Sequence, residues 1–174
     1  HCRVLGWIAP LDPQAPRIHF QVNLPLVWNG KAVQYGGGGL NGVLVDGMTP
    51  LRDAPPGTPL PIARGYLTFG TDSGHQLAAY PPTEPGAWAL NDEALANFAS
   101  ASYKKVRDVA VAIARTVYRR APARIYYFGG SEGGREGLVM AQRFPSDYDG
   151  VVSVVPVVGW TGLMHAYYPA QMAQ

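Results

Sequence analysis

The stretch YYFGGSEGGREG, residues 126–137, joins a short aromatic run to a helix-compatible segment through a serine set among glycines. Residues 129–133 fit G-x-S-x-G, a pattern in which the serine is a nucleophile when a strand precedes it and a helix follows it. RIYYFG predicts that strand and EGGREGLVMAQRF predicts that helix. Side chains at the two outer glycines would collide with the neighbouring strand and helix. The context therefore favours a nucleophile at Ser131 over an ordinary N-cap serine.

The remaining sequence predicts an α/β sheet that is antiparallel at its start and parallel afterwards. RIHFQVNLPL alternates between apolar and polar residues, as a half-buried strand does, and CRVLGWI is a suitable antiparallel partner. KAVQYGG and ARGYLTFGTD predict two more strands. Apolar residues recur at helical spacing from Leu95 to Val117, and YDGVVSVVPVVG is typical of a continuous strand buried on both faces. This order of elements is that of an α/β fold.

Composition excludes several classes of protein. Of 174 residues, 47% are hydrophobic and 15% charged, which indicates a globular chain and predicts no membrane span. The net charge is +2 with scattered Lys and Arg, so nucleic acid is not a favoured partner. Cys2 is the only cysteine and no H-x-x-x-H pattern occurs, so neither an internal disulfide nor a metal or other cofactor is expected in this chain. The opening HCRVLGWIAP has no initiator Met and no signal-peptide pattern, and we expect a truncated N-terminus.

A nucleophilic serine needs an oxyanion hole. One donor should be the backbone N–H of Glu132, the residue that follows the serine. The glycine run at residues 36–39 could supply the other, because N–H groups without neighbouring side chains can approach a substrate carbonyl closely. The alternative interpretation of this run is a flexible hairpin loop.

The serine also needs a base, and few residues of this chain could serve as one. His165 is the only histidine after Ser131, and Asp147 and Asp149 lie between them. In the fold that G-x-S-x-G indicates, the order is serine, acid, histidine, so the order is formally met. Only one strand fits between Ser131 and His165, however, and we therefore disfavour an internal triad. His75, in TDSGHQ, comes too early in the order and is expected to be a structural hydrogen-bonding residue.

Four segments together resemble one known family. GGSEGGREGLVMAQRFPSDYDGVV resembles the nucleophile region of the tannase and feruloyl esterase family, and LPLVWNGKAVQYGGGGLNG resembles its oxyanion-glycine segment. FGTDSGH and CRVLG resemble two further segments, and all lie in the expected order along nearly the whole chain. The SEGGRE form, with Glu after the serine, is similar to the bacterial branch that includes mono(2-hydroxyethyl) terephthalate hydrolase.

The resemblance implies an α/β-hydrolase-type sheet with a nucleophile elbow. It implies a secreted or periplasmic serine esterase whose substrates are small aromatic esters of gallate, ferulate or terephthalate half-ester type. Carried over by position, Ser131 is the nucleophile, and the N–H groups of Glu132 and Gly39 form the oxyanion hole, with Gly38 as the second choice. Trp160 could contact substrate in an aromatic pocket near the lid entrance. Packing against a lid is the interpretation we favour for this residue and its neighbours, which are Met164, Tyr167 and Tyr168.

The chain departs from the family pattern in two ways. The family usually has a cysteine before the serine, bridged to one beside the catalytic histidine, and here that position is Gly130. Family members are also far longer: a lid domain, often with a structural calcium, follows the strand corresponding to residues 151–158, and the catalytic Asp and His follow the lid. We therefore expect residues 1–174 to be the front part of a catalytic domain, with a lid beginning near residues 160–174. Cys2 matches a family cysteine that pairs upstream.

Three functional hypotheses remain open from the sequence. The first is an aromatic-acid esterase whose Asp and His come from missing sequence or from a companion chain. The second is a catalytically inactive α/β fragment that acts only in binding or association. The third, a lipase-like or peptidase-like hydrolase, is disfavoured by the family-like segments outside the serine motif.

Overall fold

The computed structural model describes the backbone of residues 1–172 and the side chains of residues 1–166. Its centre is a mixed sheet of six strands in the order β1-β2-β4-β3-β5-β6. The strands are β1 (Cys2–Ile8), β2 (Ile18–Leu24), β3 (Lys31–Tyr35), β4 (Leu67–Thr71), β5 (Arg124–Gly130) and β6 (Gly150–Val154). Each strand lies where the sequence predicts one. β2, however, was expected to be half-buried and is buried on both faces, because its polar residues Gln21 and Asn23 are covered and donate to the carbonyl of Asp46.

The strand pairing confirms an antiparallel start and a parallel continuation. β1 pairs antiparallel with β2, and β2 pairs antiparallel with β4. The remaining neighbours, β4 with β3, β3 with β5 and β5 with β6, are parallel. Because the carboxyl ends of parallel strands meet at one edge of a sheet, the glycine run after β3 lies beside the serine after β5. The N–H of Gly36 indeed donates to the carbonyl of Phe128 at 2.8 Å.

The α-helices of the described residues are α1 (Asp92–Ala96), α2 (Ser102–Tyr118), α3 (Glu132–Arg143) and α4 (Trp160–Met172). Two of these four helices, α2 and α3, pack against the sheet. A π-helical segment, Asn97–Ala101, joins α1 to α2, so the predicted long helix is present but contains a π turn. Val106, Ala110 and Ala114 of α2 are buried in the same cluster as the inward side chains of β2 and β4. α2 ends at Tyr118, because the next residue, Arg119, has a left-handed φ of 59°; the helix thus stops before the expected Pro122.

The last predicted strand differs from its expected form. β6 ends at Val154, because Val155 has a φ of 42° and Pro156 has no N–H to continue a ladder. The strand lies at one edge of the sheet within residues 1–172, and Val152 is 53% exposed. The expectation of a continuous strand buried on both faces is therefore wrong for the described structure. Leu95 and Val117, predicted on the buried face of the long helix, are likewise exposed at its ends.

None of the helices within the described residues has the length and apolarity needed to cross a membrane. The secreted or periplasmic location implied by the resemblance remains a prediction. So does the start of a lid near residues 160–174, where the structure has helix α4.

Candidate active site

Ser131 occupies the tight turn between β5 and α3 in an unusual backbone conformation. Its φ is 57° and its ψ is −121°, a combination that costs a residue with a side chain of order 1–3 kcal/mol. The turn is held from both sides: the Ser131 N–H donates to the carbonyl of Val154 at 2.9 Å, and the Ser131 carbonyl accepts from the N–H of Gly134 at 3.0 Å. The Ser131 side chain makes no capping hydrogen bond to α3. The structure therefore gives no support to the N-cap interpretation.

The two outer glycines of the motif allow backbones to touch. A Cβ on Gly129 would collide with the backbone of Gly133. A Cβ on Gly133 would lie 2.6 Å from the carbonyl oxygen of Gly37, whose oxygen accepts a 3.1 Å hydrogen bond from the Gly133 N–H. The expected steric reason for both glycines is confirmed, although the segment that crowds Gly133 is the glycine run rather than a strand.

The glycine run divides into a packed half and an open half. A Cβ on Gly36 would lie 2.8 Å from the Cα of Gly133, whereas a Cβ on Gly38 or Gly39 would meet no atom within 4 Å. Gly39 also has a φ of 58°. Within the described residues, the N–H groups of Gly38, Gly39 and Glu132 donate to no protein acceptor. Three N–H groups without a protein acceptor thus lie on the segments that meet beside Ser131, and two of them belong to residues with open space where a Cβ would stand.

A buried carboxylate anchors the glycine run, and the sequence did not lead us to it. Glu136 is completely buried; its Oε2 accepts from the N–H of Gly37 at 3.0 Å and from the hydroxyl of Tyr127 at 2.9 Å. Its Oε1 accepts from the hydroxyl of Tyr103 at 2.5 Å and from the side-chain amide of Asn41. Burial, and then the Glu136 charge, raises the pKa of both tyrosines well above the usual range. The run is therefore tied to α2, β5 and α3 at once.

The position of Glu136 in the sequence carried a signal that could have revealed it. Glu136 lies one helical turn from Glu132 and one turn from the buried Met140, and so it shares their face of α3. An acidic residue on the buried face of a helix almost always has hydrogen-bonding partners. The role of Arg135 could not be predicted in this way, because its contacts are made to the carbonyls of a π turn.

His75 supports the glycine run from the other side, as a structural residue. Its Nε2 lies 3.0 Å from the carbonyl oxygen of Leu40, and its ring stacks on Trp88 with centroids 3.9 Å apart. The side chain is fully buried, and burial lowers the pKa of His75 to about 4. The expectation of a structural hydrogen-bonding histidine is confirmed.

This burial predicts a pH-dependent stability. Because the pKa of His75 is lowered on folding, its neutral form favours folding above pH 6.5, and this stability is lost as pH falls towards about 4. The free energy of unfolding should fall by about 3 kcal/mol through His75 alone. Urea unfolding at pH 7.5 and pH 4 measures it. His75→Gln should flatten the pH dependence, whereas His165→Gln, at an exposed site, should leave it unchanged; equal slopes for wild type and His75→Gln would contradict the prediction.

The structure does not assemble the internal triad that the sequence formally allows. Asp149 accepts from the N–H of Ile125, at the start of β5, and six residues of extended strand place it roughly 20 Å from Ser131. Asp147 pairs with basic side chains of α2, at 2.9 Å from Lys104. His165 is exposed on α4. The geometry agrees with the prediction that this chain does not form an internal triad.

Trp160 lies at the start of α4. Its ring centroid is 5.7 Å from that of Phe98, and the guanidinium carbon of Arg135 lies 5.8 Å from the Trp160 ring. These contacts lie within this chain, and both packing against a lid and a role in substrate binding stay predictions. Met164 is half-buried, and the side chains of Tyr167 and Tyr168 lie outside the described ones.

Two further positions bear on the departures from the family pattern. At Gly130, where the resemblance implies a cysteine, a Cβ would lie 2.8 Å from the Cδ of Arg52, so this arginine fills the space. Cys2 is a free, exposed thiol on β1.

Within the described residues, His, Cys, Asp and Glu side chains form no cluster of three or more, so they do not fit a calcium ion and no step below uses a metal.

Comparison with known proteins finds this chain similar to proteins named as esterases. The family model described as tannase and feruloyl esterase matches residues 2–174. An uncharacterized esterase of Agrobacterium fabrum is 46% identical over 166 residues, which are 94% of this chain and 29% of that protein. The mono(2-hydroxyethyl) terephthalate hydrolase of Piscinibacter sakaiensis is 36% identical over 162 residues, covering 90% of this chain and 26% of that protein.

Solved structures agree with the sequence matches. Feruloyl esterase B from Aspergillus oryzae superposes with a TM-score of 0.73 at 27% identity, over 89% of this chain and 28% of its own. The tannin acyl hydrolase from Aspergillus niger has a TM-score of 0.68 at 24% identity, which shows the shared fold alone. The chain thus spans less than a third of the length of each of these relatives.

Proposed function

Because the chain belongs to the tannase and feruloyl esterase family, we propose that it carries the nucleophile and oxyanion hole of a serine esterase acting on aromatic-acid esters. The observation that carries the proposal is the backbone of Ser131, with a φ of 57° and a ψ of −121° at the carboxyl ends of parallel strands. Strain of this kind persists where surrounding structure over-determines it, and it is typical of active sites. The turn is the nucleophile elbow of this proposal.

The proposed reaction is acyl transfer through Ser131. Its Oγ attacks the ester carbonyl carbon, and the negative charge on the carbonyl oxygen is held by the N–H groups of Glu132 and Gly39, with Gly38 as the second choice. Collapse of this intermediate breaks the bond to the alcohol oxygen, which leaves with a proton, and an acyl ester remains on Ser131. Water then adds to that ester and releases the aromatic acid and the free serine. Each donor is worth roughly 3 kcal/mol of barrier.

The proton transfers need a base and an acid that the described residues do not supply. The curated relatives hold the matched region within one much longer polypeptide. We therefore assign the catalytic Asp and His to the same polypeptide as Ser131, beyond the described residues, in preference to the companion chain that the sequence allowed. The order serine, acid, histidine along the chain agrees with this assignment.

The proposed substrates share an aromatic acyl group. The relatives include proteins named as feruloyl esterases and as a mono(2-hydroxyethyl) terephthalate hydrolase, and each of these names describes an ester of an aromatic carboxylic acid. We propose feruloyl, galloyl or terephthalate half-esters as the class. Trp160 is the candidate contact for the aromatic ring, because its own packing partners are Phe98 and Arg135 near the first turn of α3.

A fluorophosphonate probe tests the proposal directly, because it phosphonylates only activated serines. The full-length protein is incubated with the probe and its intact mass is measured, followed by peptide mapping. We expect one adduct, on Ser131, that is absent from Ser131→Ala. Ser146→Ala, at an exposed serine, is the matched control and should be labelled like wild type.

The mass also distinguishes the aromatic-acid esterase from the catalytically inactive binding fragment. An adduct on Ser131 justifies a screen of methyl ferulate, methyl gallate and a terephthalate half-ester. A folded protein that takes up no probe, and hydrolyses none of the three esters, contradicts the esterase and leaves the binding fragment. The exposed apolar side chains along β6 and after it, Val152, Val155 and Val158, are the observation that would then direct the search for partners.

A further inference from the structure

The π-helical segment Asn97–Ala101 offers backbone carbonyl groups to side chains. π turns are rare and occur mostly as single turns at functional sites. The carbonyl of Asn97 accepts from the hydroxyl of Ser102 at 2.8 Å. The next two carbonyls, of Phe98 and Ala99, accept from the guanidinium of Arg135 at 3.3 and 3.1 Å. Two of the backbone carbonyls of the segment are therefore bound by one side chain of α3.

Arg135 is engaged on all sides by this chain. Its Nε and one terminal nitrogen lie 2.6 and 2.5 Å from the Oε1 of Glu132. The rings of Phe98 and Trp160 lie 5.3 and 5.8 Å from its guanidinium carbon, and the side chain is only 15% exposed. A guanidinium so occupied has little capacity left for a ligand. Its geometry is that of a cross-link between the first turn of α3 and the π-helical segment.

Glu132 depends on that cross-link. Its carboxylate is 1% exposed, and its Oε2 is buried without a hydrogen-bond partner among the described residues. Burial raises the pKa of Glu132, and Arg135 acts against this. A buried carboxylate without its cation is strongly disfavoured. The Glu132 side chain is thus fixed by Arg135, and its own backbone N–H follows directly on the strained Ser131.

We infer that Arg135 is a positioning residue, which holds the Glu132 N–H in the direction needed to bind the oxyanion, with the π-helical segment as its anchor. The inference rests on the proposed function of Ser131 and Glu132. Arginine is required because its planar fork reaches one carboxylate oxygen and two carbonyls together, whereas a lysine ammonium is a point charge.

The test compares Arg135→Lys with Arg143→Lys in the full-length protein. Arg143 is the matched control: it lies on the same helix and donates to the Ser100 hydroxyl of the same π-helical segment at 3.3 Å, but it has no bond to Glu132. With whichever of methyl ferulate, methyl gallate and a terephthalate half-ester the wild type hydrolyses fastest, Arg135→Lys should lower kcat by at least about tenfold and leave KM within about twofold, because the lost alignment matters only in the transition state. Arg143→Lys should stay within about twofold in both constants.

A second readout needs no activity. Amide hydrogen exchange of peptides covering residues 131–137 should be at least about tenfold faster in Arg135→Lys than in wild type and unchanged in Arg143→Lys. If the wild type shows no Ser131-dependent turnover, the proposed function has failed, and this exchange rate still decides whether Arg135 holds the turn. Equal exchange in wild type and Arg135→Lys overturns the inference.

The kinetic outcomes are equally decisive. A folded Arg135→Lys with wild-type kcat overturns the inference, and so does an Arg143→Lys with an equal loss. If Arg135→Lys does not fold, Glu132→Ala decides, because it removes the carboxylate that binds the guanidinium in the turn while leaving the guanidinium on the Phe98 and Ala99 carbonyls. Its kcat should fall by about tenfold at unchanged KM, and a wild-type kcat overturns the inference.

Discussion

Ser131→Ala is expected to lower kcat/KM for aromatic esters by at least about 10⁴-fold in the full-length protein, because it removes the only nucleophile of the proposed reaction. Residual turnover should come from the oxyanion donors alone, which can still stabilise the attack of water. The measurement is steady-state hydrolysis of the ester that the wild type turns over fastest. Ser146→Ala, at an exposed site, should keep the wild-type rate.

A third variant separates loss of chemistry from loss of fold. Ser131→Gly should also abolish turnover, but it should raise the free energy of unfolding by about 1 kcal/mol, since glycine adopts a φ of 57° without steric cost. An inactive variant that is more stable than wild type cannot owe its inactivity to misfolding. Retained activity in Ser131→Gly or Ser131→Ala would assign the reaction to another residue.

Glu136→Ala is expected to lower the free energy of unfolding by about 4 kcal/mol. The substitution removes the acceptor of four hydrogen bonds, three of which are buried and include those from the hydroxyls of Tyr103 and Tyr127, and it opens a cavity beneath the glycine run. Urea unfolding of both proteins at pH 7 measures the difference. Glu84→Ala, at an exposed glutamate, should change stability by less than about 0.5 kcal/mol.

The network can be separated from simple cavity formation by a double-mutant cycle. Glu136→Gln places an amide N–H₂ where the carboxylate accepted hydrogen bonds, so it should cost nearly as much as alanine although it fills the space. Adding Tyr127→Phe removes one of the opposed donors, and the pair should cost less than the sum of the single changes. Strict additivity would show that the hydrogen bond between the two residues contributes nothing.

The sheet could be predicted because its signals are local. Alternation in β2, the glycines after β3 and the strand–turn–helix around Ser131 each follow from a few consecutive residues. The errors in the fold depend on neighbours. The exposure of Val152 in β6 and the burial of Gln21 and Asn23 in β2 are set by the segments that lie beside these strands. The π turn carries no local signal that we recognised in the sequence.

The candidate site divides in the same way. Ser131, Glu132 and the glycine run follow from motif and spacing, and the structure brings them to one edge of the sheet as expected. The roles of Glu136 and Arg135 could not be predicted from motif and spacing, because they arise from hydrogen bonds to residues far away in sequence. Whether the Gly38 and Gly39 N–H groups meet a substrate oxygen remains the proposal that the probe and kinetic experiments address.

The anchoring of the glycine run by Glu136 has a consequence for synthesis of the protein. Gly37 and its carboxylate acceptor are 99 residues apart, so a ribosome adding about 5–20 residues per second makes the acceptor roughly 5–20 seconds after the run. During that interval β3 also lacks β5, one of its two strand neighbours. The nascent chain therefore presents an open strand edge beside an unanchored loop, which is the kind of surface that chaperones bind and that other nascent chains can pair with.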